Sequence, residues 1–406
     1  MHDGDFEMGS AAARGGAGAL LLTCALLGSA CGEVADTEGT GDVRDGLTHR
    51  RVVASFEKII PKGDSFQHRT GHAMVAVKNK LYVTRGVVDD FATQTNTFPE
   101  DVLRLQPRAG RVKTLAQRGS PQPGGFSYAC AAGDDRGSGS LYLFGGANYV
   151  FELRPDFFPS LVVHDDLWRF DVARGTWELI EPTGATPSAR SGCAAEFTSG
   201  ALYLFAGISR FFEVNDELWR FDPATASWSM LEPTGPRPAA RYKPAAALDE
   251  AEGKIYYYGG LAFGPAGFER LADFWVYDVA TNRFRELPSG IAPARDQGAM
   301  AVLSAPDGKR YVVHVGGDLP TETACVGFPQ LASATNEVWA FDIEAERWSL
   351  LEKRGPAPRI EYHAGAVLKD RFYITGGWAE EPDPVNTCRQ VWNEGFFAMS
   401  LTDRSR

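Results

Sequence analysis

What this chain lacks narrows its chemistry first. Over 406 residues, 41 Lys and Arg stand against 52 Asp and Glu, for a net charge of −11. This acidic balance argues against nucleic acid as the main partner. Histidine is scarce at 7, and no two stand at a metal-ligand spacing, so neither a metal nor a cofactor is expected. His68 and His72 are four apart, but sharing a ligand at that spacing needs a helix, and this stretch enters a strand. A G-x-S-x-G nucleophile turn and paired catalytic carboxylates are both missing. The glycines of RGSGSLYLFGG (136–146) lead into a strand rather than a helix, which denies them phosphate-cradling geometry.

Long apolar runs are missing too. The longest, GALLLTCALLGSA (18–30), is too short to span a bilayer comfortably and fits the core of a signal peptide. It ends in Gly28-Ser29-Ala30-Cys31, small residues before a cysteine, as at a bacterial lipoprotein cleavage site. Cys31 would then carry the lipid, although an ordinary signal peptide cut after Ala30 fits the same run. Asp3, Asp5 and Glu7 do not suit a signal peptide, whereas a start at Met8 leaves Arg14 as the leading positive charge. Residues 1–30 are therefore read as signal, and 31–51 as the lipidated Cys plus a flexible polar linker. The expected location is the bacterial cell envelope, with the chain lipid-anchored on the periplasmic or outer-membrane face.

What is abundant is glycine, 44 residues, and it is periodic. Six apolar runs end in glycine: LYVTRG, LYLFGG, LYLFAG, IYYYGG, VVHVGG and FYITGG. Their last glycines, Gly86, Gly146, Gly207, Gly260, Gly317 and Gly377, are 60, 61, 53, 57 and 60 residues apart. A period of that size marks a propeller, each repeat being a small sheet that cannot bury its own faces. After each glycine comes an alternating strand such as DDLWRFD (165–171), DELWRFD (216–222), ADFWVYD (272–278) or NEVWAFD (336–342). Seven residues past its last aromatic stands another large residue, as in Phe170 to Trp177 and Phe221 to Trp228, so each repeat contains the same hairpin. A Pro/Gly turn then reaches an arginine and a small-residue strand. The last repeat lacks its outer strand. SFEKIIPKGDSFQHR (55–69) matches TWELIEPTGATPSAR (176–190), which predicts that strand 52–60 completes the sixth blade and removes two free edges.

The glycine pair, the D-x-x-W-x-F-D strand, the later Trp and the P-x-x-R turn resemble the Kelch family over roughly 52–402. The resemblance implies an all-β, six-bladed Kelch β-propeller closed by its N-terminal strand. Arg85-Gly86 in blade one and Phe126, at an arginine position in blade two, depart from the pattern.

Two functional readings follow. The long loops 87–99, 147–164, 261–271, 318–335 and 378–389 emerge on one rim and are rich in aromatics. They point to a non-catalytic module binding a protein or glycan partner. The same rim carries Arg69, Arg190, Arg241, Arg295 and Arg359, expected to ring the channel mouth, with Tyr242, Glu361 and Tyr362 beside them. A free guanidinium ring would hold an acidic ligand, while the Kelch pattern equally allows these arginines a purely structural role. The resemblance to an exported sialic acid mutarotase makes an enzyme acting on an acidic sugar the alternative. The copper site of galactose oxidase and the iron motif E-x3-D-x3-H of plant specifier proteins have no counterpart here. Cys325 and Cys388, in neighbouring loops, are expected to form a disulfide. Cys130 and Cys193, at matched places on adjacent inner strands, are read as small buried residues.

Overall fold

The computed structural model describes residues 52–90, 95–135, 137–148, 162–264, 267–320, 332–383 and 387–404. Six antiparallel blades are present, each with an inner, second, third and outer strand. Blade 1 is Ala73–Val77, Lys80–Thr84, Val102–Gln106 and Arg111–Thr114. Blade 2 is Cys130–Asp134, Ser140–Phe144, Leu167–Asp171 and Thr176–Ile180. Blades 3 to 5 repeat the order, starting from Ala194–Thr198, Ala245–Asp249 and Ala299–Ser304. Blade 6 takes Ala364–Leu368, Arg371–Thr375 and Phe396–Asp403 from the C-terminal region. Its outer strand is Val52–Ile59, paired antiparallel to Phe396–Asp403 from Val52↔Asp403 to Ile59↔Phe396. Each inner strand adjoins the next, and blade 6 adjoins blade 1, so the ring is closed.

The repeated residues explain the repeated shape. The two aromatics seven apart are direct cross-strand partners, Phe170↔Trp177, Phe221↔Trp228, Tyr277↔Phe284 and Phe341↔Trp348. Their ring centroids lie 4.8–5.4 Å apart, a favourable tilted geometry. In blades 2 to 5 the aspartate closing the third strand caps the turn between them. Asp171 Oδ1, for example, accepts from the backbone N–H of Ala173 and Arg174, both at 2.9 Å. Between blades lie sheets of aromatic and aliphatic side chains, such as Phe205 with Tyr257 and Phe284, or Phe274 with Phe341 and Trp348.

The glycine pair works at the blade junction. The N–H of the second glycine donates to a carbonyl of the following blade: Gly146 to Arg190, Gly207 to Arg241, Gly260 to Arg295, Gly317 to Ile360, Gly377 to Arg69 and Gly86 to Phe126, at 2.9–3.0 Å. At Gly145 (φ 64°) an added Cβ would come within 2.2 Å of the Arg190 carbonyl oxygen, so only glycine fits this approach. Outer strands are linked as well. Lys353–Arg354 runs parallel to Ala54–Ser55, and Lys62–Gly63 to Arg111–Val112. Small hairpins stand on the rim beyond the glycine pairs, at Leu261–Gly264 with Gly267–Arg270, Asp318–Pro320 with Ala332–Ala334, and Trp378–Asp383 with Thr387–Trp392.

Cys130 and Cys193 correct the sequence reading. They form a disulfide with Cα atoms 5.3 Å apart, joining the inner strands of blades 2 and 3. Matched positions on adjacent inner strands converge near the axis, which brings the two sulfurs together. Cys325 lies outside the described residues, so its expected pairing with Cys388 does too.

Candidate functional site

The arginines do not form a free ring. Arg69, Arg190, Arg241 and Arg295 are at most 1% exposed. Each grips an acid two residues before the tryptophan of its own blade, or the matching position in blade 1, and most also bond a carbonyl at the end of the second strand. Arg241 shows the full pattern. Its Nη1 and Nη2 donate to Asp273 Oδ1 (2.8 Å) and Oδ2 (2.6 Å), Nη1 also to the Gly259 carbonyl, and Nε to that of Ala239. Arg69 grips Asp101 the same way, Arg190 pairs with Glu217, and Arg295 donates to Glu337 at 2.8 Å. The same acids accept the indole N–H in Trp219, Trp275 and Trp339. These guanidiniums are enclosed in the scaffold, each held by an acid and a backbone carbonyl, and are not offered to a ligand. Arg359 is displaced by one residue. Ile360 accepts the glycine N–H in blade 6, while Arg359 is exposed and donates from Nε to the Ala334 carbonyl at 2.6 Å.

The two departures in blades 1 and 2 prove to be linked. Where blade 2 lacks its arginine, the Arg85 guanidinium enters from blade 1. It lies 5.6 Å from the Phe126 ring centroid and 5.0 Å from that of Trp177, and donates to the Pro123 carbonyl at 3.0 Å.

The next two positions in each blade do build a site. The residue after the arginine position bridges to the loop start: Thr70 to Val87, Ser127 to Ala147, Ser191 to Ile208, Tyr242 to Leu261, Asp296 to Asp318 and Glu361 to Trp378. The one after that is left-handed in all six blades: Gly71, Tyr128, Gly192, Lys243, Gln297 and Tyr362, with φ of 52–61°. Their backbones are tied from blade to blade, the N–H of Tyr128 donating to Gly71 O, Gly192 to Tyr128 O, Lys243 to Gly192 O and Tyr362 to Gln297 O. Side chains from this ring gather at the axial mouth.

Lys243 lies among them. Its Nζ is 4.0 Å from the ring centroid of Tyr128, 4.6 Å from that of Tyr362 and 4.8 Å from that of Tyr242, and donates to Gln297 Oε1 at 2.8 Å. Burial pushes its ammonium down to about 7, against the opposing charges of Asp296, Glu361 and Asp318. Those acids form a buried group. Arg270 joins two of them, donating from Nε to Asp296 Oδ1 (2.8 Å) and from Nη2 to Asp318 Oδ2 (2.6 Å). Burial and repulsion from Asp296 push Asp318 up to about 7 against the pull of Arg270, and burial also raises Asp296. Asp296 Oδ2 and Asp318 Oδ1 are buried beside Gln297 and Glu361. Outward from Tyr362, Trp378 stacks at 5.7 Å, then come Trp392 and His68.

Of the expected site residues, Tyr242, Glu361 and Tyr362 meet at this mouth, and the arginines do not. Tyr128, Lys243, Asp296 and Gln297 complete it and were missed. Reading the two positions after each arginine would have found Lys243, Asp296 and Gln297, and aligning Phe126 with those arginines would have added Tyr128. Arg270 and Asp318 sit in loops without a repeat pattern, so no sequence signal pointed to them. His72, His314 and His363 are buried, and burial lowers all three, His72 to about 3 and His363 to about 4. Among the described residues, no three His, Cys, Asp or Glu side chains are grouped to hold a metal.

A closed ring of six four-stranded blades, pinned by buried Arg–acid pairs and open to function at one rim, defines a β-propeller scaffold. The chain belongs to the Kelch-repeat family, matching the KLHDC2/KLHL20/DRC7 Kelch-repeats domain over residues 53–207 and 136–377. It is 25% identical to human Kelch domain-containing protein 3 over 57% of this chain and 57% of that protein. It is also 25% identical to human multiple epidermal growth factor-like domains protein 8, over 84% of this chain and 11% of that one. The chain therefore spans little more than half of the first relative and about a tenth of the second. With the N-(sulfonatooxy)prop-2-enimidothioate sulfolyase of Thlaspi arvense it shares 24% identity over 74% of this chain and 81% of that protein.

Proposed function

We propose that this chain is an exported, lipid-anchored module of the bacterial cell envelope that binds a protein or glycan partner on its loop rim. One observation carries the reading. Four of the repeated arginines of the rim, Arg69, Arg190, Arg241 and Arg295, are consumed in holding the blades, whereas large aromatics of its loops are left outside. Phe211 is 77% exposed in the loop of blade 3, and Phe263 is 54% exposed on the rim hairpin of blade 4. Exposed aromatics on a rigid support are the usual anchors of a binding surface. The burial of Arg69, Arg190, Arg241 and Arg295 leaves Arg359 alone of the five groups on which an acidic-sugar enzyme would rest. Export draws support from the Cys130–Cys193 disulfide, a bond that persists in oxidising compartments. Cys31 is the lipid-bearing residue in this reading.

The test uses the full chain expressed in a bacterial host. Labelled palmitate should enter the wild type and be lost in Cys31→Ala. Binding to a glycan array and to immobilised envelope proteins should fall about tenfold or more in a Phe211→Ala/Phe263→Ala variant. Undiminished binding by that variant would move the partner site off this rim.

A further inference from the structure

Lys243 ends in surroundings unlike those of a surface lysine. Its backbone is fixed in the left-handed region (φ 52°) by the hydrogen bond to blade 3, and its stem lies against Gly192, where an added Cβ would come 3.0 Å from Lys243 Cγ. Three tyrosine rings flank its Nζ, and Gln297 Oε1 orients it. The residue as a whole is half-buried, although its ammonium end is enclosed by these rings. We propose that Lys243 is a reactive amine at the axial mouth that condenses with the carbonyl group of a small aldehyde or ketone.

The neighbouring groups match the steps of that reaction. The neutral amine attacks the carbonyl carbon, forming a C–N bond as the C=O π pair moves to oxygen. That oxygen takes a proton from the Asp318 carboxyl, and the nitrogen gives one to a carboxylate of the same group, leaving a carbinolamine. Loss of its hydroxyl as water, with a proton from the acids, leaves an iminium whose N–H proton returns to the same acids, giving the imine. Overall, amine plus carbonyl gives imine plus water, with no change of oxidation state. Asp296 Oδ2 and Asp318 Oδ1, buried beside Gln297 and Glu361, are the oxygens placed to exchange these protons. A lysine desolvated beside aromatic rings is a recognised way to obtain a nucleophilic amine at neutral pH. The groups facing Nζ are Tyr128, Tyr242, Tyr362 and Gln297, with Asp296, Asp318 and Glu361 supplying the nearby charge and Arg270 bridging Asp296 and Asp318.

The probe is 4-pyridinecarboxaldehyde with sodium cyanoborohydride, applied to the whole protein between about pH 6 and pH 10, adducts being mapped by peptide mass spectrometry. At neutral pH, Lys243 should be labelled on the order of tenfold faster than the exposed Lys62 and Lys113, with its rate half-maximal near pH 7. A Lys243→Arg variant should lose this fast adduct and keep the slow ones. Labelling of Lys243 no faster than Lys62, or a rate that climbs only above about pH 9, would overturn the proposal without any variant having to fold. Because the readout needs no partner, it is independent of binding through Phe211 and Phe263.

Discussion

Arg241 shows how a charge can be buried without being wasted. Its guanidinium is fully enclosed, and both Nη atoms reach one carboxylate. Burial alone would raise the Asp273 carboxyl, but the Arg241 hydrogen bonds and charge outweigh it and hold it below the usual carboxylate range. Its folded value is thus depressed, so the stability it contributes is present above pH 4 or so and lost as pH falls through the folded value. An Arg241→Ala variant leaves the Gly259 carbonyl without its guanidinium donor and the Asp273 carboxylate with the Trp275 indole N–H but no opposing charge. It should lose about 3 kcal/mol in urea unfolding at pH 7, since breaking a buried pair costs more than the pair is worth. The difference from wild type should shrink in acid. A variant as stable as wild type would mean that the pair is incidental to the blade.

At the scale of elements, the six blades were legible because a constant spacing fixes a constant hairpin. Phe170 and Trp177 had to face one another once the turn length was set, and they do. Strand 52–59 was legible because its turn copies the other blades. Ile360 shows the limit. An arginine one residue away imitated the repeat, and the hydrogen bond from Gly317, the Glu361–Trp378 bridge and the left-handed Tyr362 reveal the true register. The mouth was half legible for a related reason. Tyr242, Glu361 and Tyr362 follow the repeat, but the burial that perturbs Lys243 and the acids depends on which blades face each other across the axis. Strand Val52–Ile59 also carries a prediction. Along its whole length it covers the edge of Phe396–Asp403. Removing residues 52–59 should leave that edge free to pair with another chain, giving concentration-dependent assembly in analytical ultracentrifugation and loss of a single cooperative unfolding step. A truncated chain that stays monomeric and unfolds like the full one would show that the ring closes without this strand.

For the whole molecule, a ring has a weakness that a globule with one core does not, because each blade touches only its two neighbours and one parted junction opens the circle. Backbone bonds and aromatic sheets guard every junction, but only non-covalently. The Cys130–Cys193 bond secures the junction of blades 2 and 3 covalently, beside the position where Phe126 replaces the expected arginine and Arg85 fills in from blade 1. It also closes a loop of 63 residues, which by chain entropy restricts the unfolded state by about 4 kcal/mol. A Cys130→Ser/Cys193→Ser variant should therefore unfold at clearly lower urea concentration than the oxidised wild type. Fully reduced wild type should fall to the same midpoint, because the stabilisation comes from the cross-link and not from the identity of the side chains. If reduction shifts the midpoint by less than about 1 kcal/mol equivalent, the ring is held at this junction by packing alone, and the disulfide contributes nothing to keeping it closed.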